Sequence, residues 1–338
     1  MSLRLLFVLC VFVASGRVYG QSWALQQSNT KVDLRGISAV SPMVAWAGGA
    51  KGTFLRTTDG GASWSVGVVT GSADADFRAI HAFSDKSAYL LSSGKGPLSR
   101  LYRTNDGGVN WDLVMGNSAA NGFWDAIHMW DPQHGILLGD PVNGRFIIWT
   151  TDDGVTWTEQ AKGPQALKEE GAFAASNSSL FVRGAREAWF GTGGPTGARV
   201  FHSDDGGKSW TAVKTPMRHD SANAGIFSLA FTRGTHGVAV GGDFTKTEDT
   251  AGAAAVSSDS GKSWSVPKTS AGGYRSDVVY LEESKTWIAT GPTGSNISVD
   301  DGQTWKPFDK AAYNAMSFAG SAGWAVGPAG AIAYFHAR

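Results

Sequence analysis

Cysteine is almost missing from this chain: Cys10 is the only one in 338 residues. It sits inside the opening apolar run and lacks the small preceding residue of a lipoprotein signal. Disulfides, thiolate metal sites and a cysteine nucleophile are thereby excluded from everything downstream. A charge surplus is missing too, with 29 basic against 29 acidic residues, so neither nucleic acid nor an anionic membrane finds an electrostatic footprint. After the first residues no apolar run approaches the length of a membrane-spanning helix. Helical periodicity is hard to find. No Gly-x-Gly-x-x-Gly turn opens a helix, no Cys-x-x-Cys-His could attach haem, and no Gly-x-Ser-x-Gly elbow is present. The seven histidines show no metal-ligand spacing. No metal and no cofactor are expected.

The start of the chain reads as an export signal. Arg4 gives a positive start, Leu5 to Ala14 is apolar but too short to span a bilayer, and Val18-Tyr19-Gly20 offers small residues for cleavage. Residues 1–20 are read as signal peptide and 21–338 as one domain, periplasmic or extracellular, without a transmembrane segment and monomeric. Losing Arg4 and Arg17 leaves 27 basic against 29 acidic residues, a net charge of about −2.

What the chain has in abundance is glycine (45) and tryptophan (14), in short apolar runs broken by turns. Its organising feature is an eight-residue signature, clearest at Thr57-Thr58-Asp59-Gly60-Gly61-Ala62-Ser63-Trp64. The signature recurs from Thr104 to Trp111, Thr150 to Trp157, Ser203 to Trp210, Ser257 to Trp264 and Ser298 to Trp305. Its glycine supplies the positive φ of a tight turn, its aspartate (Asp59, Asp106, Asp152, Asp205, Asp259 or Asp300) can accept from turn amides, and its tryptophan opens the next strand with a large apolar face. The rival reading, a calcium loop, needs alternating carboxylates and a distal glutamate that are absent. The signature is a structural staple.

A second element recurs seven times, as in Ala45-Trp46-Ala47-Gly48 and Gly323-Trp324-Ala325-Val326-Gly327, with another apolar stretch before each copy. One unit is thus four strands, A to D, and the chain is all-β, a seven-bladed propeller. Seven B strands face six signatures. Ser22-Trp23-Ala24-Leu25 matches what leaves each signature, so this first strand is predicted to complete the last blade.

Spacing also locates departures from the repeat. Signature tryptophan to next B position is 25 residues for Trp64 to Tyr89 but 32 for Trp157 to Trp189, an excess assigned to Gln160 to Gly171, between D and A strands. A second excess falls in Asp243 to Ala255, between B and C strands. Loops of both kinds are expected on one face, where enlargement costs the core little and binding concentrates. The candidate binding residues at that mouth are Arg35, Arg78, Asp125, Asp140, Arg145, Glu170, Arg199, Asp243, Tyr274 and Arg275; mutual pairing that plugs the channel is the blander reading of each. His81 and His128, at equivalent positions in successive units, are read as packing.

The signatures resemble the Asp-box, or BNR, repeat of sialidases and of many non-enzymatic propellers. The whole chain after residue 20 resembles bacterial photosystem II stability and assembly factor-like proteins, some of which are labelled oxidoreductase. The likeness rests on Phe123-Trp124-Asp125-Ala126-Ile127, Gly139-Asp140-Pro141, Ala172-Phe173-Ala174-Ala175-Ser176-Asn177, Trp189-Phe190-Gly191-Thr192-Gly193-Gly194, Gly241-Gly242-Asp243 and Gly273-Tyr274-Arg275-Ser276. It implies an exported seven-bladed propeller and brings no catalytic residues.

Two functions compete. The first is a non-catalytic binding or assembly scaffold with a protein or peptide partner, or a glycan, at the enlarged face. The second is a glycoside hydrolase at the same mouth. A sialidase type would draw on Arg35, Arg78 and Arg275, Tyr274 or Tyr313, and Glu169 or Glu170, although its Arg-Ile-Pro motif is missing and Arg35-Gly36-Ile37 is the nearest match. A two-aspartate type would pair Asp125 with Asp140 or Asp243.

Overall fold

In a computed structural model, residues 21–336 are described. The expected export signal and Cys10 lie outside them. The described chain forms seven antiparallel sheets, six of four strands and one of three. The A strands are Leu34–Ala39, Phe77–Ala82, Trp124–Met129, Leu180–Arg183, Ala224–Phe231, Asp277–Leu281 and Ala315–Ala319. Each pairs with its B strand: Ala45–Gly49, Ala88–Ser92, Gly135–Val142, Glu187–Gly191, Gly237–Asp243, Thr286–Gly291 and Ala322–Val326.

The seventh sheet takes its fourth strand from the front of the chain. Ser22–Leu25 pairs antiparallel with Ile332–His336, and Trp23 stands opposite Phe335. The first and last blades are also tied side by side: Leu34 N–H donates to Gly327 O at 3.0 Å, and Ala39 N–H to Ser317 Oγ at 2.9 Å. In the three-stranded fifth blade, the outermost strand is reduced to one bridge, Val256 with Ser265. Pro267, two residues on, has no N–H to continue it.

Blade packing explains the sequence pattern. A B strand has a blade against each face, so Ala45–Gly49, Ala88–Ser92 and Ala322–Val326 are buried at every position and read as continuous apolar runs rather than alternating ones. The outer strand Ser65–Val68 is mostly exposed. Large B-strand side chains reach the next blade: Trp46 Nε1 donates to Ser84 O at 2.8 Å, and Trp189 Nε1 to Ser260 O at 3.0 Å. Signature tryptophans reach back instead, Trp64 edge-on to Trp324 and Trp157 edge-on to Tyr89.

The signature turns are closed by their own side chains. Thr57 Oγ1 accepts the Gly61 N–H at 2.8 Å and donates to Asp59, which takes the Ser63 N–H at 2.9 Å. Those bonds, the Ser63 hydroxyl first, hold the Asp59 carboxyl down to about 2. The third turn corrects the sequence reading. Its aspartate is Asp153, not Asp152: Asp153 accepts the Val155 and Thr156 N–H groups at 2.7 Å each, and Thr151 Oγ1 takes the Gly154 N–H at 3.0 Å. This turn is one residue shorter, three rather than four from hydroxyl to glycine. Either aspartate of Asp152-Asp153 therefore satisfies the eye, and only one satisfies the amides.

Candidate functional site

The central channel is crossed by the chain itself. Gly171 bridges Gly193 and Leu180 pairs with Phe190, so nine steps of one strand stand against three of its neighbour. The six surplus residues are extruded inward. They account for most of the spacing excess that the sequence placed at Gln160 to Gly171, which is the second correction.

This plug is pinned to four blades. Asn177 accepts the Ile127 N–H at 2.8 Å and donates to Ile127 O at 3.0 Å and Ile80 O at 3.3 Å. His128 Nε2 lies 3.0 Å from Asn177 O, and Ser176 Oγ donates to Ser276 O at 2.8 Å. Leu229 N–H donates to Ser178 O at 2.9 Å, and Ser178 Oγ donates to Asp277 Oδ1 at 2.6 Å. Asp277 also accepts from Ser228 Oγ and from the Met316 N–H, which adds the seventh blade. Even so, burial pushes its carboxyl up to about 7. Burial drives His81 down to about 3 and His128 to about 4, so both imidazoles are neutral; they face each other at 6.1 Å.

Ser176, Asn177 and Ser178 help line a cavity of about 380 Å³ with His81, His128 and Asp277. Ala172, Phe173 and Ala174 help line another, of about 710 Å³, together with Asp140 from the third B strand, Asn223 from a D-to-A loop and Phe244. The plug divides the channel and is the floor of both.

The larger cavity is shaped by β-bulges. Register shifts fall at Arg35, Arg78, Asp125 and Phe227, the same place in four A strands. A bulge leaves its residue out of the ladder and re-aims the side chain. Arg78 Nε pairs with Asp76 at 2.7 Å. Arg35 lies near enough that the Arg78 charge, after burial itself, lowers its pKa. Phe227 stacks on Phe173 at 3.9 Å and meets Tyr274 edge-on at 4.7 Å. Burial pushes the Tyr274 hydroxyl well up.

Asp140 occupies a second bulge, on the neighbouring B strand, where its Oδ1 accepts the Ala172 N–H at 2.9 Å. Burial raises its carboxyl to about 6. Asp125 is 1 % exposed, and neither carboxyl oxygen has a hydrogen-bond partner. Burial and the nearby Asp140 carboxylate push Asp125 well above the usual range, against the pull of Arg78.

The remaining sequence candidates are engaged elsewhere. Glu170 and Arg199 form a two-pronged pair, at 2.8 and 2.5 Å, and Glu170 also takes Thr192 Oγ1 and the Leu167 N–H at 2.7 Å each. Arg275 is buried with both Nε and a terminal nitrogen on Asn296 Oδ1. Asp243 holds its own loop through Thr245 and Ser221. Arg145 donates to Gly163 O at 3.0 Å. Tyr313 is buried against Trp23. Of the sialidase set, Arg35, Arg78 and Tyr274 lie close together, whereas Arg275 is held by Asn296, Glu170 by Arg199, and Tyr313 is buried against Trp23. Among the described residues no three metal-ligating side chains converge.

Sequence reasoning missed Phe173, Phe227 and Phe244. A signal for the bulges was there: Leu34-Arg35-Gly36, Phe77-Arg78-Ala79, Trp124-Asp125-Ala126 and Ile226-Phe227-Ser228 each put a large or charged residue between an apolar and a small one.

Residues 201–212 match the family model described as BNR/Asp-box repeat. The chain carries an Asp-box propeller fold. Among solved structures, "YCF48 bound to D1 peptide" is similar at 16% identity and a TM-score of 0.67, covering 94% of this chain and 97% of that one. YCF48 from Cyanidioschyzon merolae is similar at 18% identity and a TM-score of 0.66, covering 93% and 98%. No curated protein matches. These likenesses concern the fold.

Proposed function

We propose that this Asp-box propeller is an exported, non-catalytic binding or assembly scaffold that docks a protein or peptide at the mouth formed by its B-to-C and D-to-A loops. The observation that carries the reading is the cavity of about 710 Å³ whose floor is the plug. A pinned floor turns a channel into a dish, which suits an extended segment better than passage of a solute. Unpaired groups of both kinds, Arg35 and Asp125, stand at this mouth, and Phe244 on the enlarged loop is 46% exposed. A propeller of the same fold, YCF48, has been solved with a D1 peptide bound, which supports a peptide as the class of partner.

The test is selection of random displayed peptides on residues 21–338, repeated with Ala222→Trp, which fills the mouth from an exposed position. Selected peptides should bind this variant at least about tenfold more weakly. Binding unaffected by the tryptophan would place the partner elsewhere. Export is checked by fractionation: the chain from residue 21 should stay in the cytoplasm while the full chain leaves it.

The Asp125 and Asp140 carboxyls, both raised, favour one second reading, a glycoside hydrolase at the same mouth. Turnover of aryl glycosides that vanishes in both Asp125→Asn and Asp140→Asn would put it first.

A further inference from the structure

We propose that the mouth cavity holds a cationic side chain of the bound peptide, a guanidinium or ammonium group, on Asp125 and Asp140 in the space that Phe173 and Phe244 also line. This rests on the peptide-binding reading above and names the chemistry of one subsite. Among the buried carboxyls lining the cavity, Asp125 and Asp140 are the ones in no salt bridge, and Arg35 nearby is an unpaired cation. Arg78 is held by Asp76 at 2.7 Å, and Glu170 by Arg199. Lys168 and Glu169 are exposed neighbours on one loop. Asp140 has a single N–H partner, and Asp125, almost wholly buried, has none for either oxygen.

An unpartnered buried carboxylate is costly, and burial shifts the group toward its neutral form. A guanidinium or ammonium entering the cavity would supply the missing donors and an opposite charge in a medium that screens it little. Aromatic faces nearby add attraction for a cation and little for a neutral group of the same shape. Two bulges on adjacent strands bring these carboxyls together, which two regular strands would have aimed elsewhere. The charged groups bearing on Asp125 are the Asp140 carboxyl, which raises its pKa, and Arg78, which lowers it; the Asp140 N–H, bonded to Phe123 O, also lowers it. A bound cation would therefore drive a proton off the pair, and binding should tighten as pH rises.

Calorimetric titration of residues 21–338 with N-acetyl-arginine amide, N-acetyl-lysine amide and the neutral N-acetyl-citrulline amide tests this. At least one cation should bind in the millimolar range, and the citrulline derivative about tenfold or more weakly. The binding heat should differ between phosphate and Tris buffers, as proton release requires. Asp125→Asn and Asp140→Asn should each weaken the cation about tenfold or more; should Asp125→Asn melt early, Asp140→Asn, at a less buried position, decides. Equal binding of the citrulline derivative, no binding of either cation, or full binding by Asp140→Asn would overturn the proposal. Selected peptides that need the open mouth yet carry no enriched arginine or lysine would sink this subsite and leave the scaffold standing. A cation bound where no peptide selects the mouth would do the reverse.

Discussion

Two carboxylate sites line the same cavity and have opposite histories. Glu170 is as buried as any side chain in the protein and fully answered, by Arg199, Thr192 and a backbone amide. Asp125, equally buried, accepts no hydrogen bond among the described residues and feels only the Arg78 charge and the Asp140 N–H nearby. Burial alone therefore does not mark a site; an unanswered donor count does. Glu170 is architecture, fixing the loop from Leu167 to Gly171 against the fourth blade. Asp125 is a carboxyl that the fold itself gives no reason to keep.

The sharpest way to break this contrast is to remove one half of the paired site. Arg199→Met should cost about 3–5 kcal/mol in urea unfolding, because Glu170 would be left charged and buried. A loss below 1 kcal/mol would put Glu170 with the unanswered carboxyls. Asp277 is the intermediate case, answered by hydroxyls and an amide but by no cation. Its folded pKa of about 7 lies above its unfolded value, so the folded state holds more protons between roughly pH 4 and 7. Stability from this group falls as pH rises through that window, by at most about 1.4 kcal/mol per pH unit, and is level above it. Neutral His81 and His128 act in the opposite direction, since the unfolded chain holds their protons up to about pH 6.5. Thermal melts of Asp277→Asn should therefore gain on wild type steadily from pH 4 to 7; parallel curves would refute the assignment.

The same contrast recurs at the surface within one turn. Asp153→Ala should lower the melting temperature, through unpaired Val155 and Thr156 amides, whereas Asp152→Ala should leave it unchanged. Equal effects would return the turn to the eight-residue reading. The smallest effect belongs to Asp125→Asn, expected to stabilise by up to about 1 kcal/mol at neutral pH, since it removes a buried carboxyl whose pKa the fold raises at a cost. A loss of several kcal/mol would reveal a structural partner and move Asp125 into the company of Glu170.

The fold was legible in the sequence because its causes are local and repeated. A hydroxyl, an aspartate, a glycine and a tryptophan at fixed spacing close each turn with their own atoms, as Thr57, Asp59 and Gly61 show. The strand pairing of Trp23 with Phe335 was legible for a related reason, since the first strand repeats what leaves every signature. Where the repeat slipped by one residue, at Asp152-Asp153, the pattern misled.

The layout of the candidate mouth was half legible. Arg35, Arg78, Asp125, Asp140 and Tyr274 gather around the mouth, while Glu170, Arg199, Asp243 and Arg275, of the same residue types, turn to partners of their own. No local rule separates the two groups. Composition and spacing by themselves determined an all-β ring of seven blades, because turn chemistry and strand alternation act within a few residues. Only the tertiary structure decided that Ala172 to Ser179 blocks the channel and that Asp125 is left unanswered. Both depend on contacts fifty to a hundred residues apart, whose hydrogen bonds are balanced only when all the blades are in place.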